Sequence, residues 1–180
     1  MKQIIFHIAW IGALLTAVSC TKENEDQIYK GKPQLTFEYP NVRPGASPTA
    51  WNGTAASIHA VTYSVDSGTV RTIDYEVSLI AGGPQGEIPF SVSVLEANSV
   101  TGAAAVSTIM PSGALTFASS GTIPAGRFKG TFQIHVDHSK LSDVAADNIV
   151  YLLLSPAGSG SSVQAAENYR RVRLNFTKAN

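Results

Sequence analysis

The sequence predicts an all-β protein in which one antiparallel β-sandwich follows a targeting signal. From residue 33 onward apolar and polar residues alternate with a period of two, and Gly, Pro, Asp and Ser cluster between the alternating runs. Of the 180 residues, 44% are hydrophobic and 14% are charged, with 13 Lys and Arg against 13 Asp and Glu. This composition excludes a highly charged disordered chain, and the even charge balance provides no basic surface for nucleic acid.

Three runs show the strand pattern most clearly, each with one apolar and one polar face. Their apolar residues are Ile73, Tyr75, Val77 and Leu79, then Phe132, Ile134 and Val136, then Val172, Leu174 and Phe176. Weaker strand candidates are 35–39, 59–65, 88–95, 115–117 and 149–154, the last apolar on both faces as expected of a central strand. About 7–9 short strands with this spacing favour a single immunoglobulin-like antiparallel β-sandwich over residues 33–180.

Turn-forming residues separate these runs, and helix-forming ones are scarce. Turns are predicted at 66–68, 82–84, 111–113, 124–126 and 158–162, where Gly and Pro set the backbone angles. Residues 40–53 read as a long loop, and 139–147 could form a single helical turn. A domain of about 150 residues can bury a sufficient core without disulfides or metal.

The first 19 residues read as a lipoprotein signal peptide. Met1-Lys2-Gln3 precedes an apolar stretch from Ile4 to Val18, which is shorter than the roughly 20 apolar residues of a spanning helix. Cys20, the only Cys, directly follows Ala17-Val18-Ser19. This arrangement resembles the lipobox of bacterial lipoproteins, in which a small residue precedes a Cys that is lipidated and becomes the mature N-terminus, although Ala17 replaces the usual Leu.

Lipidation of Cys20 implies a stable membrane anchor, because two or three acyl chains each contribute about 0.8 kcal/mol per buried CH₂. The alternative is a signal peptide cut elsewhere. Residues 20–32 form an acidic, polar tether. An acidic cluster behind the lipidated Cys resembles the export signal of Bacteroidetes-type outer-membrane lipoproteins, and a solvated spacer explains it equally well. The expected location is the bacterial outer membrane, facing the cell exterior.

The C-terminal half carries a recognisable pattern. Gly121-Thr122-Ile123-Pro124-Ala125-Gly126 precedes the run 130–136, and Leu141 and Tyr151-Leu152-Leu153-Leu154-Ser155 follow, with Asn168 to Leu174 as a final edge strand. The pattern resembles uncharacterised Bacteroidetes surface lipoproteins over roughly residues 60–178. This resemblance implies an immunoglobulin-like or Calx-β-like domain of the kind grouped with glycan uptake or adhesion, and it transfers no functional residues.

The sequence presents no catalytic constellation and no cofactor motif. On a strand His135 and Asp137 share one face and His138 points to the other, so polar surface residues explain them better than a zinc site. The Gly158-Ser159-Gly160-Ser161 segment lacks the spacing of a nucleophile elbow, and the Gly-rich segment 82–86 lacks the Lys-Ser/Thr of a phosphate loop. We therefore expect no catalytic residues, no metal site and no cofactor.

Four residues are candidates for ligand binding. Trp51 lies in the polar 40–54 loop, where an aromatic ring could stack on a sugar or could fold over one end of the sandwich. Tyr169, Arg171 and Arg173 are predicted to share the outward face of the last strand, a strip suited to carboxylates or acidic glycans. A solvated strand face, or a sheet edge protected by charge, accounts for the same residues.

The sequence thus favours a non-enzymatic surface lipoprotein that acts as a binding or accessory module. Its expected partners are the membrane, through the lipid anchor, and a glycan or an outer-membrane protein. The alternatives are a structural envelope or fimbrial-type subunit and, less favoured, a hydrolase with paired carboxylates.

Overall fold

The computed structural model describes residues 30–38, 58–83, 85–95, 108–158 and 162–179. They form ten β-strands and two single-turn 3₁₀ helices, at His138–Lys140 and Ala145–Asp147. The strands are β1 (Gln34–Phe37), β2 (His59–Val65), β3 (Val70–Ile80), β4 (Ile88–Val94), β5 (Leu115–Phe117), β6 (Ser120–Ile123), β7 (Lys129–Asp137), β8 (Ile149–Pro156), β9 (Gln164–Ala165) and β10 (Arg171–Lys178). Residues Lys32–Asn180 constitute one compact unit.

The strands form two five-stranded sheets that enclose one core. Sheet A has the order β5-β7-β3-β1-β9, and sheet B has the order β2-β10-β8-β4-β6. Buried side chains from both sheets belong to a single apolar cluster, so the prediction of an all-β sandwich is confirmed.

The predicted antiparallel pairing is found in six of the eight pairs among the described strands, and the other two pairs are parallel. β10 pairs with β2 in parallel from Val172 opposite His59 to Lys178 opposite Val65, and β1 pairs with β9 in parallel. Alternation of side chains has the same period in parallel and antiparallel strands, so the sequence pattern contains no information on strand direction.

The alternation predicted for β3, β7 and β10 is confirmed. On β3 the residues Tyr75 and Val77 are at most 2% exposed, whereas Asp74 is exposed. The predicted apolar faces of β7 and β10 are buried in the same way. Strands β6 and β9, which the pattern did not predict, have four and two residues, too few for a clear alternation.

β8 is a central strand, as predicted, and β10 is not an edge strand. β8 lies between β10 and β4, and its outward Tyr151 is only 7% exposed. β10 lies between β2 and β8, so the prediction of a final edge strand is wrong. The edge strand next to β10 is β2, which an earlier part of the sequence supplies, and the opposite edge is β6. Strand order depends on long-range pairing rather than on position in the chain.

The connections follow the predicted turn residues where the structure describes them. Gly68 and Gly126 have φ angles of 71° and 73°, a conformation that residues with a Cβ rarely adopt. The connection before β8 is held by Asn148, which is fully buried. Its side chain accepts from Ser142 N–H and donates to Ser142 C=O, each at 2.8 Å. Asn148 therefore fixes the loop that enters the central strand of sheet B.

Candidate functional site

The outward face of sheet A carries a set of paired polar side chains on neighbouring strands. His135 Nδ1 lies 3.0 Å from Thr72 Oγ1, and Gln133 Nε2 donates to Asp74 Oδ1 at 3.0 Å. Further along β3, Lys129 forms an ion pair with Glu76. These contacts follow from the register of β3 and β7, in which each of these residues lies opposite or diagonal to its partner.

A groove opens beside this polar face, at the side of the sandwich where β1 ends. Its volume is about 290 Å³, and it is lined by Glu38, Tyr63, Ile73, Asp74, Tyr75 and Glu76. Three of the lining residues are carboxylates, two are tyrosines and one is aliphatic. The groove therefore combines hydrogen-bond acceptors with apolar surface, which is the usual composition of a small ligand site. We call it the β1–β3 groove.

Neighbouring side chains hold the groove carboxylates in fixed positions. Ser78 Oγ donates to Glu38 Oε2 at 2.6 Å, while Asp74 and Glu76 are held by Gln133 and Lys129 as described. The hydrogen bond to Glu76 is the main cause of a raised pKa of Lys129, and the charges of Glu38 and Glu76 add to it, so the ammonium stays protonated. Each carboxylate retains acceptor positions toward solvent because a carboxylate offers about four.

The aromatic wall of the groove is also fixed. The Tyr75 hydroxyl donates to the Glu38 carbonyl at 2.9 Å. The Tyr63 ring stacks on Phe176, with centroids 6.1 Å apart, and the Arg71 guanidinium lies 5.3 Å from its centroid. Burial raises the pKa of the Tyr63 hydroxyl, and the nearby charge of Arg71 opposes this shift only partly. Tyr63 is thus a neutral wall of the groove whose ring already has two packing partners.

The predicted strip of Tyr169, Arg171 and Arg173 does not exist as one strand face. Tyr169 precedes β10, and its carbonyl accepts from Phe37 N–H of β1 at 3.0 Å. Arg173 does lie on the outward face of β10, half-buried, with its guanidinium 6.0 Å from the Tyr151 ring centroid. Binding by these residues stays a prediction, but the structure places Tyr169 against sheet A and Arg173 on sheet B.

Arg171 is buried rather than available on the surface. Its residue exposure is 9%, and it donates to the Glu167 carbonyl at 2.8 Å and to Glu167 Oε1 at 2.7 Å. Burial raises the pKa of Glu167, but the hydrogen bond and charge of Arg171, together with Arg170, outweigh this and lower it overall. Arg171 therefore connects β10 to the turn that precedes it. The alternation of side chains along the strand could not reveal this contact.

The remaining predicted positions are Cys20, Trp51 and the group of His135, Asp137 and His138. Cys20 and Trp51 lie outside the described residues. His138 Nε2 is 3.3 Å from the Ala179 carbonyl, whereas Asp137 accepts from Ser139 N–H at 3.0 Å, so the two contact different groups. Among the described residues no group of three His, Cys, Asp or Glu is arranged to hold a metal ion.

The described residues also contain no helix of the length and apolar character needed to cross a membrane.

Sequence reasoning did not find the β1–β3 groove. Glu38 directly follows β1, Asp74 lies on β3 and Tyr63 lies on β2 of the other sheet, so their proximity depends on how β1, β2 and β3 assemble. The available signal was the outward alternation of Asp74 and Glu76 on β3, which marked a polar face without indicating a cavity beside it.

Comparison with known proteins identifies the fold. A two-domain protein of unknown function from Bacteroides fragilis matches with a TM-score of 0.56 and 13% identity over 87% of this chain and 49% of its own. A protein of unknown function from Bacteroides ovatus matches with a TM-score of 0.51 and 16% identity over 81% of this chain and 45% of its own. A candidate carbohydrate-binding protein from Bacteroides ovatus matches with a TM-score of 0.50 and 13% identity over 82% and 37%.

These matches show a β-sandwich that Bacteroides proteins share. The chain spans less than half the length of each of these three proteins. No protein-family model matches the sequence, and no curated protein matches it either.

Proposed function

We propose that this protein is a non-enzymatic surface lipoprotein whose β-sandwich binds a glycan. The observation that carries the proposal is the β1–β3 groove, in which the carboxylates of Glu38, Asp74 and Glu76 lie beside apolar ring surface. Sugars present hydroxyl donors next to apolar C–H patches, and a site that recognises them offers charged acceptors beside apolar side chains.

The groove carboxylates are suited to binding because they are already oriented. Asp74 is held by Gln133 and Glu38 by Ser78, so little side-chain entropy remains to be lost when a ligand donates to them. The same contacts argue against glycoside hydrolysis, in which one carboxyl must act as a proton donor and the other as a free base or nucleophile. A binding role follows more directly from this arrangement than a catalytic one.

The fold comparison supports a glycan as ligand. The candidate carbohydrate-binding protein from Bacteroides ovatus shares the sandwich over 82% of this chain. An immunoglobulin-like or Calx-β-like assignment is part of the same proposal, and it is supported by the two facing five-stranded sheets and by the resemblance of the segment from Gly121 to Ser155.

The anchor is the second part of the proposal. Cys20 would be lipidated after removal of residues 1–19, and the acidic tether to residue 32 would hold the sandwich at the outer face of the outer membrane. The Cys20→Ala variant should leave the membrane fraction and lose metabolic labelling with an alkynyl fatty acid. Wild-type protein that carries no label would overturn the anchor, whatever the ligand.

The glycan is tested on the purified protein. A glycan array should give specific binders, and isothermal titration with the best of them should show binding at least 10-fold weaker for Asp74→Ala, since a hydrogen bond to a charged group contributes about 1.5–3 kcal/mol. The matched control is Thr122→Ala, an exposed polar residue on sheet B, which should bind like the wild type. A protein that binds no glycan above background, or equal losses in both variants, would overturn the proposal.

A further inference from the structure

Two large apolar side chains are exposed next to each other at one end of the sandwich. Ile80, the last residue of β3, is 40% exposed, and Phe128, just before β7, is 43% exposed. Their backbones adjoin, because Leu79 N–H donates to the Phe128 carbonyl at 2.8 Å. Pro124 and Ala125, in the connection from β6 to β7, are exposed as well. We call Ile80, Pro124, Ala125 and Phe128 the basal surface.

Backbone hydrogen bonds hold the connection that carries Phe128. Gly126 N–H donates to the Gln85 carbonyl at 2.9 Å, which joins this connection to the one that follows β3. Arg127 N–H donates to the Pro124 carbonyl at 3.0 Å and closes the turn. Adjoining apolar residues exposed on a fixed backbone indicate a contact surface, and little conformational entropy is lost when such a surface docks.

The chain enters the sandwich beside the basal surface. Gln34, the first residue of β1, lies opposite Ile80. The other end of β3, at Val70, lies about 33 Å away at the usual rise of a strand. The segment that leads to Cys20 therefore joins the sandwich at the basal end.

This position identifies the occupant of the surface, and the identification rests on the anchor at Cys20 proposed above. Only 12 residues separate Cys20 from Pro33, and a chain of that length spans at most about 45 Å even when fully extended. A lipid on Cys20 would keep the basal surface within reach of the bilayer. Weak contacts are sufficient under such a linkage, because the tethered surface meets the membrane at a high effective concentration.

The charges at this end suit a membrane with anionic lipids. Lys32 and Arg127 are exposed and positive, and Glu87 is exposed and negative. Lys129 forms an ion pair with Glu76. Basic side chains close to a lipid surface are attracted to its anionic headgroups.

We propose that the basal surface docks on the lipid surface of the membrane that holds Cys20. Phe128 and Ile80 enter the boundary between headgroups and acyl chains, and Arg127 contacts lipid phosphates. Docking also orients the sandwich. Asp74 lies six residues from Ile80 along β3, about 20 Å, so the β1–β3 groove is held clear of the membrane.

Vesicle binding by a chain without acyl groups tests the docking. The protein is the mature chain with Cys20→Ala, which contains the whole compact unit Lys32–Asn180. The probe is vesicles of phosphatidylethanolamine and phosphatidylglycerol in equal parts, and the partition coefficient is measured by co-sedimentation. We expect Phe128→Ser and Ile80→Ser each to lower this coefficient at least about 5-fold, since each removes a large apolar side chain from the lipid boundary.

Val70→Ser is the matched control, because Val70 is 60% exposed at the opposite end of the same strand. It should partition like the Cys20→Ala parent. An equal loss in Val70→Ser, or a parent chain that does not sediment with the vesicles, would overturn the docking. Ile80→Ser keeps the comparison valid if Phe128→Ser disturbs the turn.

A fluorescent label reports directly which end meets the lipid. The Cys20→Ala chain has no other Cys, so Ala125→Cys or Val144→Cys provides a single labelling site. The labelled chain is attached through an N-terminal His tag to vesicles that contain a nickel-chelating lipid and a spin-labelled quencher lipid. We expect quenching of the label at position 125 and little at position 144, which lies in the connection after β7 at the other end. Equal quenching at both positions would refute the orientation.

Failure of the anchor and failure of the docking are distinguishable. Neither experiment uses the acyl chains, so a wild type without fatty-acid label would remove the anchor and leave the vesicle results unchanged. A labelled wild type whose Cys20→Ala chain neither partitions nor shows end-specific quenching would retain the anchor and overturn the docking.

Discussion

Gly130 on β7 lies directly against the backbone of β6 in the other sheet, and adding one methyl group there should destabilise the fold. A Cβ at Gly130 would lie 2.5 Å from the Thr122 carbonyl oxygen and 3.1 Å from the Ile123 Cα, both backbone atoms of β6. Ordinary contacts are 3.4–4 Å, so β6 would have to move by about 0.9 Å. A backbone strand cannot give way as the end of a flexible side chain can.

The expected cost is the difference between two opposing terms. Overpacking a well-packed site costs about 1–3 kcal/mol. Ala is favoured over Gly within a strand by about 0.5–1 kcal/mol. The midpoints of these two ranges leave a net loss of about 1.2 kcal/mol for Gly130→Ala, which lowers the melting temperature of a domain of this size by about 2–5 °C.

Gly86→Ala is the matched control, with the same chemical change in a different setting. Nothing lies within 4 Å of a Cβ at Gly86, and its φ is outside the range that side chains avoid. The unfolded chain loses conformational freedom, so this variant should gain about 0.4–1 kcal/mol. Urea unfolding followed by far-UV circular dichroism compares the two. A Gly130→Ala variant that is as stable as the wild type would refute the close approach of β6 and β7.

Three further predictions test the core, the loop before β8 and the response to acid. Val77→Asp should destabilise the protein by at least about 4 kcal/mol because it places an unpaired charge at a fully buried position. The neighbouring Glu76→Ala, on the outward face, should cost at most about 1 kcal/mol. Similar costs of the two variants in urea unfolding would mean that the two faces of β3 are misassigned. Asn148→Ala should lower the free energy of unfolding by about 2–4 kcal/mol, since it leaves Ser142 N–H and C=O without their partner. A decrease of less than about 1 kcal/mol would contradict the role of Asn148 in the loop before β8. The folded pKa of Glu167 lies below its ordinary value of 4.5, so the stability that Glu167 contributes is present above that value and is lost as the pH falls through the folded pKa. The melting temperature of the wild type should therefore drop more steeply below pH 4.5 than that of Glu167→Gln. Identical acid profiles of the two proteins would count against the Arg171 contact.

Much of the fold could be predicted because alternation reports burial directly. The inward residues of β3, β7 and β10 were assigned from the sequence, and β8 was recognised as central because it is apolar on both faces. The polar outward face of β3, with Asp74 and Glu76, was also assigned. The two-residue alternation shows which face of a strand each side chain occupies, and this is sufficient to assign the buried and the exposed residues of these strands.

The site could not be predicted because it depends on pairing between distant segments. Glu38 lies near Asp74 and Glu76 because β1 pairs with the Val77–Ile80 segment of β3. Tyr63 lies beside them from the opposite sheet. The pattern likewise could not show that Arg171 contacts Glu167 in the turn before β10, or that the Tyr169 carbonyl accepts from Phe37 N–H of β1.

By itself the sequence determined eight of the ten described strands, which of their faces are buried and where the turns fall, because these properties depend on residues that are neighbours in the chain. Only the tertiary structure decided the strand order and the parallel pairing of β2 with β10. Pairing is chosen by contacts between residues tens of positions apart, and the free energy of each contact depends on the whole assembled sandwich. The β1–β3 groove is a consequence of that assembly.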